Sequence, residues 1–300
     1  MNWFNIKDIE NLCGIKAHTL RIWEQRYNLR FATRNEGKHR FYDNEALKKL
    51  LRISFLYHNG LKISRIASMT SAQIDQMVDK YGAASEQSSN ESSIRKLIEA
   101  GLDFNREKFI EIINAVLKKM EMDKCITEVF YPFLQRIGLL WMTDHVIPAQ
   151  EHFVSNIIQE RIILAIDGLT EIENKNNNVL IFAPPGEFHE IPLLTASYFF
   201  KKYGHQPIYF GCNTMLESID IYLHKQENVT ILFSHVITLI DNIQLATYFE
   251  EIKKKWPGKK IIVSGPATKC LMENNAAFRI VHSLNEMILL MKISAEITSA

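Results

Sequence analysis

The chain has 300 residues, 47% of them hydrophobic and 23% charged, which is typical of a globular protein with about two domains. No apolar run is long enough to cross a bilayer, and the first residues lack the apolar core of a secretory signal, so we expect a cytoplasmic protein without a membrane partner. The net charge of +1 is unevenly distributed, because residues 1–65 carry +7 and the remainder −6. This asymmetry indicates nucleic-acid contact confined to the N-terminus.

The four cysteines are scattered along the chain and form no CxxC pair, which excludes a cysteine-based metal site of the usual spacing. We expect partly buried, reduced thiols rather than disulfides or metal ligands. They are Cys13, Cys125, Cys212 and Cys270.

The apolar periodicity of the N-terminal segment predicts a helix-turn-helix. A first helix over about residues 6–12 is followed by a tight turn at Gly14, and a second helix buries Ile15, Leu20 and Trp23 on one face. Cationic and amide side chains on the other faces suit a DNA major groove. The candidate DNA contacts on this helix are Lys16, His18, Thr19, Arg21, Gln25, Arg26 and Tyr27.

A basic run around a glycine turn follows this second helix and predicts a β-wing whose cations meet phosphates. The candidate wing contacts are Arg34, Lys38, His39, Arg40 and Tyr42. Asp43 is predicted to N-cap the next helix, which should end at Asn59-Gly60, with shorter helices starting near Leu61 and Ser71.

The motifs of residues 3–75 resemble the winged helix-turn-helix of MerR-type transcriptional regulators. The matching stretches are Ile6-Lys-Asp-Ile9, Cys13-Gly-Ile15, His18-Thr-Leu-Arg-Ile-Trp-Glu24, Arg26-Tyr27 and Gly37-Lys-His-Arg-Phe-Tyr42. The resemblance implies a double-stranded DNA operator as partner and a homo-oligomer, either a dimer or a tetramer.

Residues 81–93 are small and polar without periodicity, so we predict a linker between a DNA-binding domain over 1–80 and the rest of the chain. Helical periodicity over residues 94–173 then predicts a four-helix bundle, with Pro132 bending its third helix.

Residues 174–300 alternate short apolar strands with helical stretches, a pattern that predicts a flavodoxin-like, doubly wound parallel sheet. The predicted strands are Val179–Ala183, Pro207–Phe210, Val229–Phe233, Lys260–Val263 and Arg279–Val281. Such sheets bind ligands outside the carboxyl ends of their strands, so a site is expected in the loops after residues 183, 210, 233 and 263.

Two groups of residues could form a ligand-binding site. Glu187 and His189 follow the first strand of the sheet, where an imidazole can ligate a metal while a carboxylate orients its other nitrogen. Taken alone, this pair is more often a helix-capping Glu and a surface His. Nine residues separate Trp141 from the adjacent Glu151-His152 in the predicted bundle, where the three could face one cavity or be a core Trp and a helix-start Glu.

Together these features resemble the cobalamin-binding region of the light-sensing, B12-dependent MerR-type regulators, the CarH-like photoreceptors. The resemblance implies adenosylcobalamin as cofactor, with His189 as the lower cobalt ligand and Glu187 as its neighbour. It also places Trp141, Glu151 and His152 at the upper face, and Ser234 and Gly265 in loops lining the nucleotide tail.

The chain departs from this group at three positions. Pro192 stands where the ligand loop usually has Gly, and Ser264 replaces the first of two tail-lining glycines. Met142 stands where some photoreceptors carry a second cobalt-capturing His. The first two departures predict a more crowded tail site, and the third bears on the light response.

The leading hypothesis is a DNA-binding regulator whose C-terminal half senses adenosylcobalamin, with or without light, through a change of oligomeric state. The alternative is a MerR-type regulator with a degenerate cobalamin-like domain, controlled by a protein partner or another ligand. A corrinoid-dependent enzyme is disfavoured, since the chain lacks a Gly-rich phosphate loop and a Ser-His-Asp arrangement. Three other histidines of this half share no ligand spacing and are expected to be surface or capping residues, namely His205, His224 and His235.

Overall fold

The computed structural model describes residues 4–29, 31–34, 40–142, 148–170, 178–226, 228–238, 242–271 and 278–298. They fall into two compact units, Met1–Ile157 and Ile158–Ala300. No helix of the described residues is long and apolar enough to cross a membrane.

The first unit begins with the predicted helix-turn-helix. Helix α1 (Ile6–Cys13) ends at Gly14, whose φ of 66° lets the chain turn sharply into α2 (Ala17–Arg26). Leu20 and Trp23 are buried, with exposed fractions of 1% and 4%, as their spacing predicted. Their burial fixes which face of α2 is left for solvent.

The predicted wing is present as two short antiparallel strands. Strand β1 (Thr33–Arg34) pairs with β2 (Arg40–Phe41), and the backbones of Phe4 and Tyr42 exchange two hydrogen bonds of 2.7 and 2.8 Å beside them. The predicted wing contacts Lys38 and His39 lie outside the described residues.

Helix α3 (Asn44–His58) follows the wing and is capped as predicted, because the Asp43 carboxylate accepts a hydrogen bond from the Ala46 backbone N–H at 2.8 Å. Two further helices complete this region, α4 (Ile63–Ala67) and α5 (Ser71–Gly82).

The predicted linker is wrong in conformation, since most of its residues lie in helix α6 (Glu86–Leu102). Ser85 caps this helix by accepting from the Ser88 N–H at 3.1 Å. The small residues serve close packing against α5, because a Cβ at Gly82 would lie only 2.9 Å from the Ser92 Oγ. Tertiary contacts therefore stabilise a helix whose residues have weak intrinsic propensity.

Charged side chains also join α6 to α3. The Arg52 guanidinium donates two hydrogen bonds to the Glu99 carboxylate, at 3.2 and 2.7 Å, and Lys48 donates to both oxygens of Asp103 at 2.9 Å. Arg95, which is almost fully buried, donates to the same Glu99. Because these pairs are partly or fully withdrawn from water, they fix the orientation of α6 on the helices that follow the wing.

The predicted bundle continues from α6 with helices α7 (Arg106–Leu117), α8 (Met122–Cys125), α9 (Tyr131–Met142) and α10 (Pro148–Asp167). A π turn over Ile126–Phe130 joins α8 to α9, and the Tyr131 N–H donates to the Ile126 carbonyl five residues back. Pro132 explains this turn, since its ring and missing N–H disturb the regular ladder one turn earlier.

Two helical glycines should respond in opposite directions to alanine. A Cβ at Gly101 would lie 2.8 Å from the Val154 Cγ1, whereas a Cβ at Gly138 meets nothing within 4 Å. We expect Gly138→Ala to stabilise the protein by up to about 1 kcal/mol through helix propensity, and Gly101→Ala to destabilise it by about 1–3 kcal/mol through overpacking. Thermal unfolding of the full chain measures both, and equal stability of the two variants would contradict the packing of α6 on α10.

The second unit contains the predicted sheet of five parallel strands. They are β3 (Asn178–Phe182), β4 (Gln206–Gly211), β5 (Val229–His235), β6 (Lys260–Ser264) and β7 (Phe278–Val281), in the spatial order β4-β3-β5-β6-β7. The helices are α11 (Glu190–Lys202), α12 (Leu216–Lys225), α13 (Asn242–Lys255) and α14 (Leu284–Thr298), with a 3-10 turn over Pro266–Cys270. This order confirms the flavodoxin-like prediction.

The centre of the sheet explains why the strands were visible in the sequence. Every residue of β3 and five of the seven residues of β5 are buried, because helices cover both faces of a parallel sheet. The connection reverses direction between β3 and β5, and the carboxyl ends of these two strands form the switch point at which such folds place ligands.

The thiols agree with the prediction of reduced cysteines. Cys13, Cys125 and Cys212 are free, and burial raises the pKa of both Cys13 and Cys125 to about 12, which keeps them protonated and unreactive. The side chain of Cys270 lies outside the described residues.

Candidate functional site

The exposed side of α2 carries the side chains predicted to contact DNA. Five of them are solvent-exposed and two are half-buried; the exposed ones are Lys16, His18, Arg21, Gln25 and Arg26, and the half-buried ones are Thr19 and Tyr27. The Arg26 guanidinium lies over the Tyr27 ring at 5.7 Å, which limits the freedom of that cation at the end of the helix.

The start of α2 is capped from the preceding helix. Glu10 accepts hydrogen bonds from the Ala17 N–H at 3.0 Å and from the Lys16 ammonium at 2.7 Å, and the Lys16 bond is the main cause of a lowered pKa at Glu10. Lys16 itself supplies no cap. A carboxylate outside the helix therefore satisfies one of its first N–H groups and fixes its N-terminus.

The wing is tied to α2 through one of its predicted phosphate contacts. Arg40 donates from Nε to the Glu24 carboxylate at 3.0 Å. Arg34 lies in β1, and its side chain is outside the described residues. Tyr42 is fully buried, contrary to the prediction that it faces DNA.

The second candidate site lies where β3 and β5 end. The His189 ring contacts the buried Glu187 carboxylate through Nδ1 at 2.5 Å, and the His189 side chain is 48% exposed. We call these two residues the Glu187–His189 pair. Since Nδ1 is directed at Glu187, Nε2 is the ring nitrogen that could ligate a metal.

Glu187 is held by hydrogen bonds from two loops. One oxygen accepts from the Ile237 and Thr238 backbone N–H groups at 2.6 and 2.7 Å, and the other from the His189 N–H at 2.9 Å and the Thr238 hydroxyl at 3.2 Å. Burial favours the neutral acid, but the bonds from the His189 ring and the backbone outweigh it and hold the pKa of Glu187 at about 2. The carboxylate is therefore charged and immobile at neutral pH.

A second polar cluster lies at the ends of β5 and β6. His235 Nδ1 contacts the Ser264 Oγ at 2.7 Å, and burial lowers the pKa of His235 to about 4, so the ring is neutral. The Ser234 hydroxyl is buried and has no hydrogen-bond partner among the described residues. His235 is half-buried at the end of β5, and its contact with Ser264 was not predicted from the sequence.

A close backbone contact within the chain requires glycine at position 265. Its φ is 104°, and a Cβ at this position would lie 2.2 Å from the Val236 carbonyl oxygen. The backbones after β5 and β6 thus approach each other too closely for any side chain. The structure explains this glycine by a contact between two loops, where the resemblance implied a contact with a ligand.

Pro192 is accommodated by the helix that follows the Glu187–His189 pair. It is the third residue of α11 and is buried. The first N–H groups of a helix have no partner within it, so a proline in this turn removes no helical hydrogen bond. The only disturbance expected from Pro192 is therefore the added volume of its ring.

The residues predicted for the upper face lie in the first unit. His152 Nδ1 contacts the Glu151 carboxylate at 2.9 Å, and Ser155 donates to the same carboxylate at 2.5 Å. His152 is exposed near the start of α10, while Trp141 lies in α9 with its side chain outside the described residues. Glu151 therefore orients His152 much as Glu187 orients His189.

The other histidines differ in placement. His205 is buried against the Phe200 ring at 5.3 Å, so its predicted surface position is wrong, and burial lowers its pKa. Near the end of α12, the ring centroids of His224 and Trp256 lie 5.0 Å apart. Over the described residues no group of three His, Cys, Asp or Glu side chains could hold a metal ion by itself.

Two protein families match parts of the chain. Residues 4–73 match the MerR HTH family regulatory proteins, and residues 93–165 match the B12 binding domain. The first range covers the helix-turn-helix and wing, and the second covers most of the helical bundle.

The relatives that match over the longest stretches are transcriptional repressors. The HTH-type transcriptional repressor CarH of Myxococcus xanthus is 22% identical over 220 residues, covering 72% of this chain and 73% of that protein. The repressor CarA of the same organism is 22% identical and covers 70% of this chain and 68% of its own length. The regulator MlrA of Salmonella typhimurium is 28% identical over 111 residues, which is 46% of its length.

One solved structure supports the fold. The monomethylamine corrinoid protein of Methanosarcina barkeri superposes with a TM-score of 0.56 at 12% identity, over 68% of this chain and 99% of that one. Similarity at this level of identity concerns the fold alone. The chain therefore carries a MerR-type helix-turn-helix domain followed by a helical domain of the B12-binding type, and it is homologous to the CarH and CarA repressors.

Proposed function

We propose that this regulator binds operator DNA as a homo-oligomer and that adenosylcobalamin, bound by its C-terminal half, changes the oligomeric state and hence the affinity for the operator. Light would reverse the change by acting on the bound cofactor. Several DNA-binding heads in one assembly gain affinity by avidity, so a change in assembly is sufficient to switch operator occupancy.

The Glu187–His189 pair carries this proposal. A metal-ligating histidine usually donates its second ring N–H to a carboxylate, which fixes the tautomer and raises the basicity of the ligating nitrogen. Glu187 provides that carboxylate at 2.5 Å and is itself held by backbone N–H groups of another loop. His189 would then be the lower cobalt ligand, through Nε2.

Other residues at the same edge of the sheet fit a corrinoid. The unpartnered hydroxyl of Ser234 offers a buried hydrogen-bonding group to a polar nucleotide tail, and a buried hydroxyl without a partner is otherwise costly. Pro192 is contained within the first turn of α11. These placements are compatible with the tail site that the family resemblance implies.

The cofactor would supply a cobalt–carbon bond that light can break. The chain's own residues would hold the cofactor and shield its upper face. His189 would hold the lower side, while Trp141, Glu151 and His152 would act at the upper face, with Glu151 fixing the position of the His152 ring. Exclusion of water from that face would be the task of Trp141.

The second candidate function is a regulator whose cobalamin-like domain answers to another ligand or to a protein. The contact between His235 and Ser264 favours it, because both side chains occupy the edge where a nucleotide tail would pass and are already satisfied by each other. In that case the N-terminal domain would bind DNA without any corrinoid.

The decisive experiment measures corrinoid and protein together. The purified full chain is incubated in the dark with adenosylcobalamin, passed through a sizing column, and followed by visible absorbance and elution volume. We expect cobalt absorbance to elute with the protein, with a change in size that green light reverses. Colourless protein of unchanged size that still binds DNA would overturn the proposal in favour of the second candidate.

The ligand assignment is tested by His189→Ala. This change should alter the visible spectrum of the bound corrinoid and weaken its retention at least tenfold, because the lower axial ligand is lost. The matched control is His282→Ala, which removes an exposed histidine of the same unit. A spectrum in His189→Ala identical to that of the control would show that another group binds cobalt.

A further inference from the structure

Helix α2, which carries the predicted DNA contacts, exposes one large apolar side chain. Ile22 lies in α2 and is 52% exposed, while Leu20 and Trp23 on either side of it are buried. We propose that Ile22 reads the operator by packing against the C5-methyl group of a thymine in the major groove. This inference rests on the proposed binding of operator DNA.

The helix places Ile22 in the middle of the surface predicted to face DNA. His18 lies four residues before it, Gln25 three residues after and Arg26 four residues after, and residues at these spacings are neighbours on a helix. All three neighbours are exposed. Ile22 is therefore surrounded by the side chains that would meet the groove, and it enters the groove whenever they do.

The chemistry of this surface suits A·T pairs. The thymine methyl is the apolar feature of the major groove, and an amide such as Gln25 can bond both N6 and N7 of adenine. Arg21 and Arg26 carry the charge that positions the helix on phosphates. Ile22 and Gln25 would together select the sequence, and the arginines would supply affinity that does not depend on sequence.

A protein partner is a weaker explanation for the exposed isoleucine. Protein contacts are built on contiguous apolar patches, and Ile22 is the one large apolar side chain that α2 exposes. Its helix neighbours are an imidazole, an amide and a guanidinium, which match a polyanion carrying scattered methyl groups. The surroundings of Ile22 therefore favour DNA.

Replacement of thymine by uracil tests the contact directly, because it removes only the methyl group. An operator is first selected from random duplex DNA with the wild-type full chain. Each thymine of one half-site is then replaced in turn, and binding is measured by fluorescence anisotropy. We expect one uracil position to weaken wild-type binding about fourfold, since one buried methyl contributes about 0.8 kcal/mol and 1.4 kcal/mol is tenfold.

Two variants complete the test. Ile22→Ala should bind the thymine operator more weakly than wild type and should be indifferent to uracil at the sensitive position. The matched control, Ile221→Ala, removes an isoleucine that is 60% exposed on α12 of the other unit, and it should keep the fourfold sensitivity.

The outcomes separate the two levels of the proposal. Wild-type binding that no uracil weakens, or equal sensitivity in wild type and Ile22→Ala, would overturn the role of Ile22 while leaving DNA binding intact. Failure of the wild-type protein to select any sequence would overturn the proposed function and this inference with it.

Discussion

Glu187→Gln is expected to destabilise the α/β unit by about 3 kcal/mol at neutral pH and to abolish corrinoid retention. Both oxygens of Glu187 accept hydrogen bonds from N–H groups, one from Ile237 and Thr238 and the other from His189. A glutamine amide would therefore direct its own NH2 group at N–H donors in either orientation. Buried donors left without an acceptor each cost about 1–3 kcal/mol.

The effect of this substitution should depend on pH in a defined window. The pKa of Glu187 is about 2 in the folded protein against an ordinary value of 4.5, so the folded state favours the charged form. The resulting stabilisation, on the order of 3 kcal/mol, is complete above pH 4.5 and is lost as the pH falls towards 2. The difference in stability between wild type and Glu187→Gln should therefore shrink between pH 4.5 and 2.5.

Calorimetry of the full chain measures this prediction as a decrease in Tm of roughly 10 °C for the transition of the α/β unit at pH 7. Glu251→Gln is the matched control, because Glu251 is exposed on α13 of the same unit. A Tm of Glu187→Gln equal to that of the control would show that the carboxylate is not held as described.

Gly265→Ala is expected to have a comparable effect for a steric reason. The added Cβ would lie 2.2 Å from the carbonyl oxygen and 2.9 Å from the nitrogen of Val236, at a φ of 104° that side chains rarely adopt. Because the opposing atoms belong to the backbone, a shorter side chain at position 236 cannot relieve the contact. We expect a loss of at least about 3 kcal/mol and a Tm lowered by roughly 10 °C.

Gly258→Ala provides the matched comparison, since nothing lies within 4 Å of its Cβ position and its φ is not in the left-handed region. It should leave the Tm unchanged or raise it slightly. If both alanine variants melt like wild type, the loops after β5 and β6 do not approach each other as the structure shows.

Much of the fold was predictable because its parts bury continuous apolar runs. The strands of the sheet are short and separated by helices, and the central strands β3 and β5 are largely buried, so their pattern predicts both the fold class and the ligand edge. Helix α6 was missed at its start for the opposite reason. Its Ser and Asn residues have weak helix propensity, and close packing against Gly82 and bonding to neighbouring helices stabilise them.

The sequence predicted where the site residues lie, but not which residues hydrogen-bond to them. The sequence indicates that Glu187 and His189 follow a strand, yet the N–H groups that hold Glu187 come from Ile237 and Thr238, fifty residues later. The His235–Ser264 contact follows from strand register, because these residues pair across β5 and β6. Aligning the strand ends would have brought them together, whereas spacing along the chain could not.

The joining of α6 to α3 and α5 has a consequence for how the regulator should be assayed. Arg52 donates two hydrogen bonds to Glu99 and α5 packs closely against α6, so the DNA-binding helices are joined to the start of the bundle within the first unit. Under the proposed function, a ligand that reorients the bundle would change the affinity for the operator, and by thermodynamic reciprocity operator DNA would change the affinity for the ligand by the same factor. Ligand affinity is then expected to differ between the free protein and the DNA-bound protein.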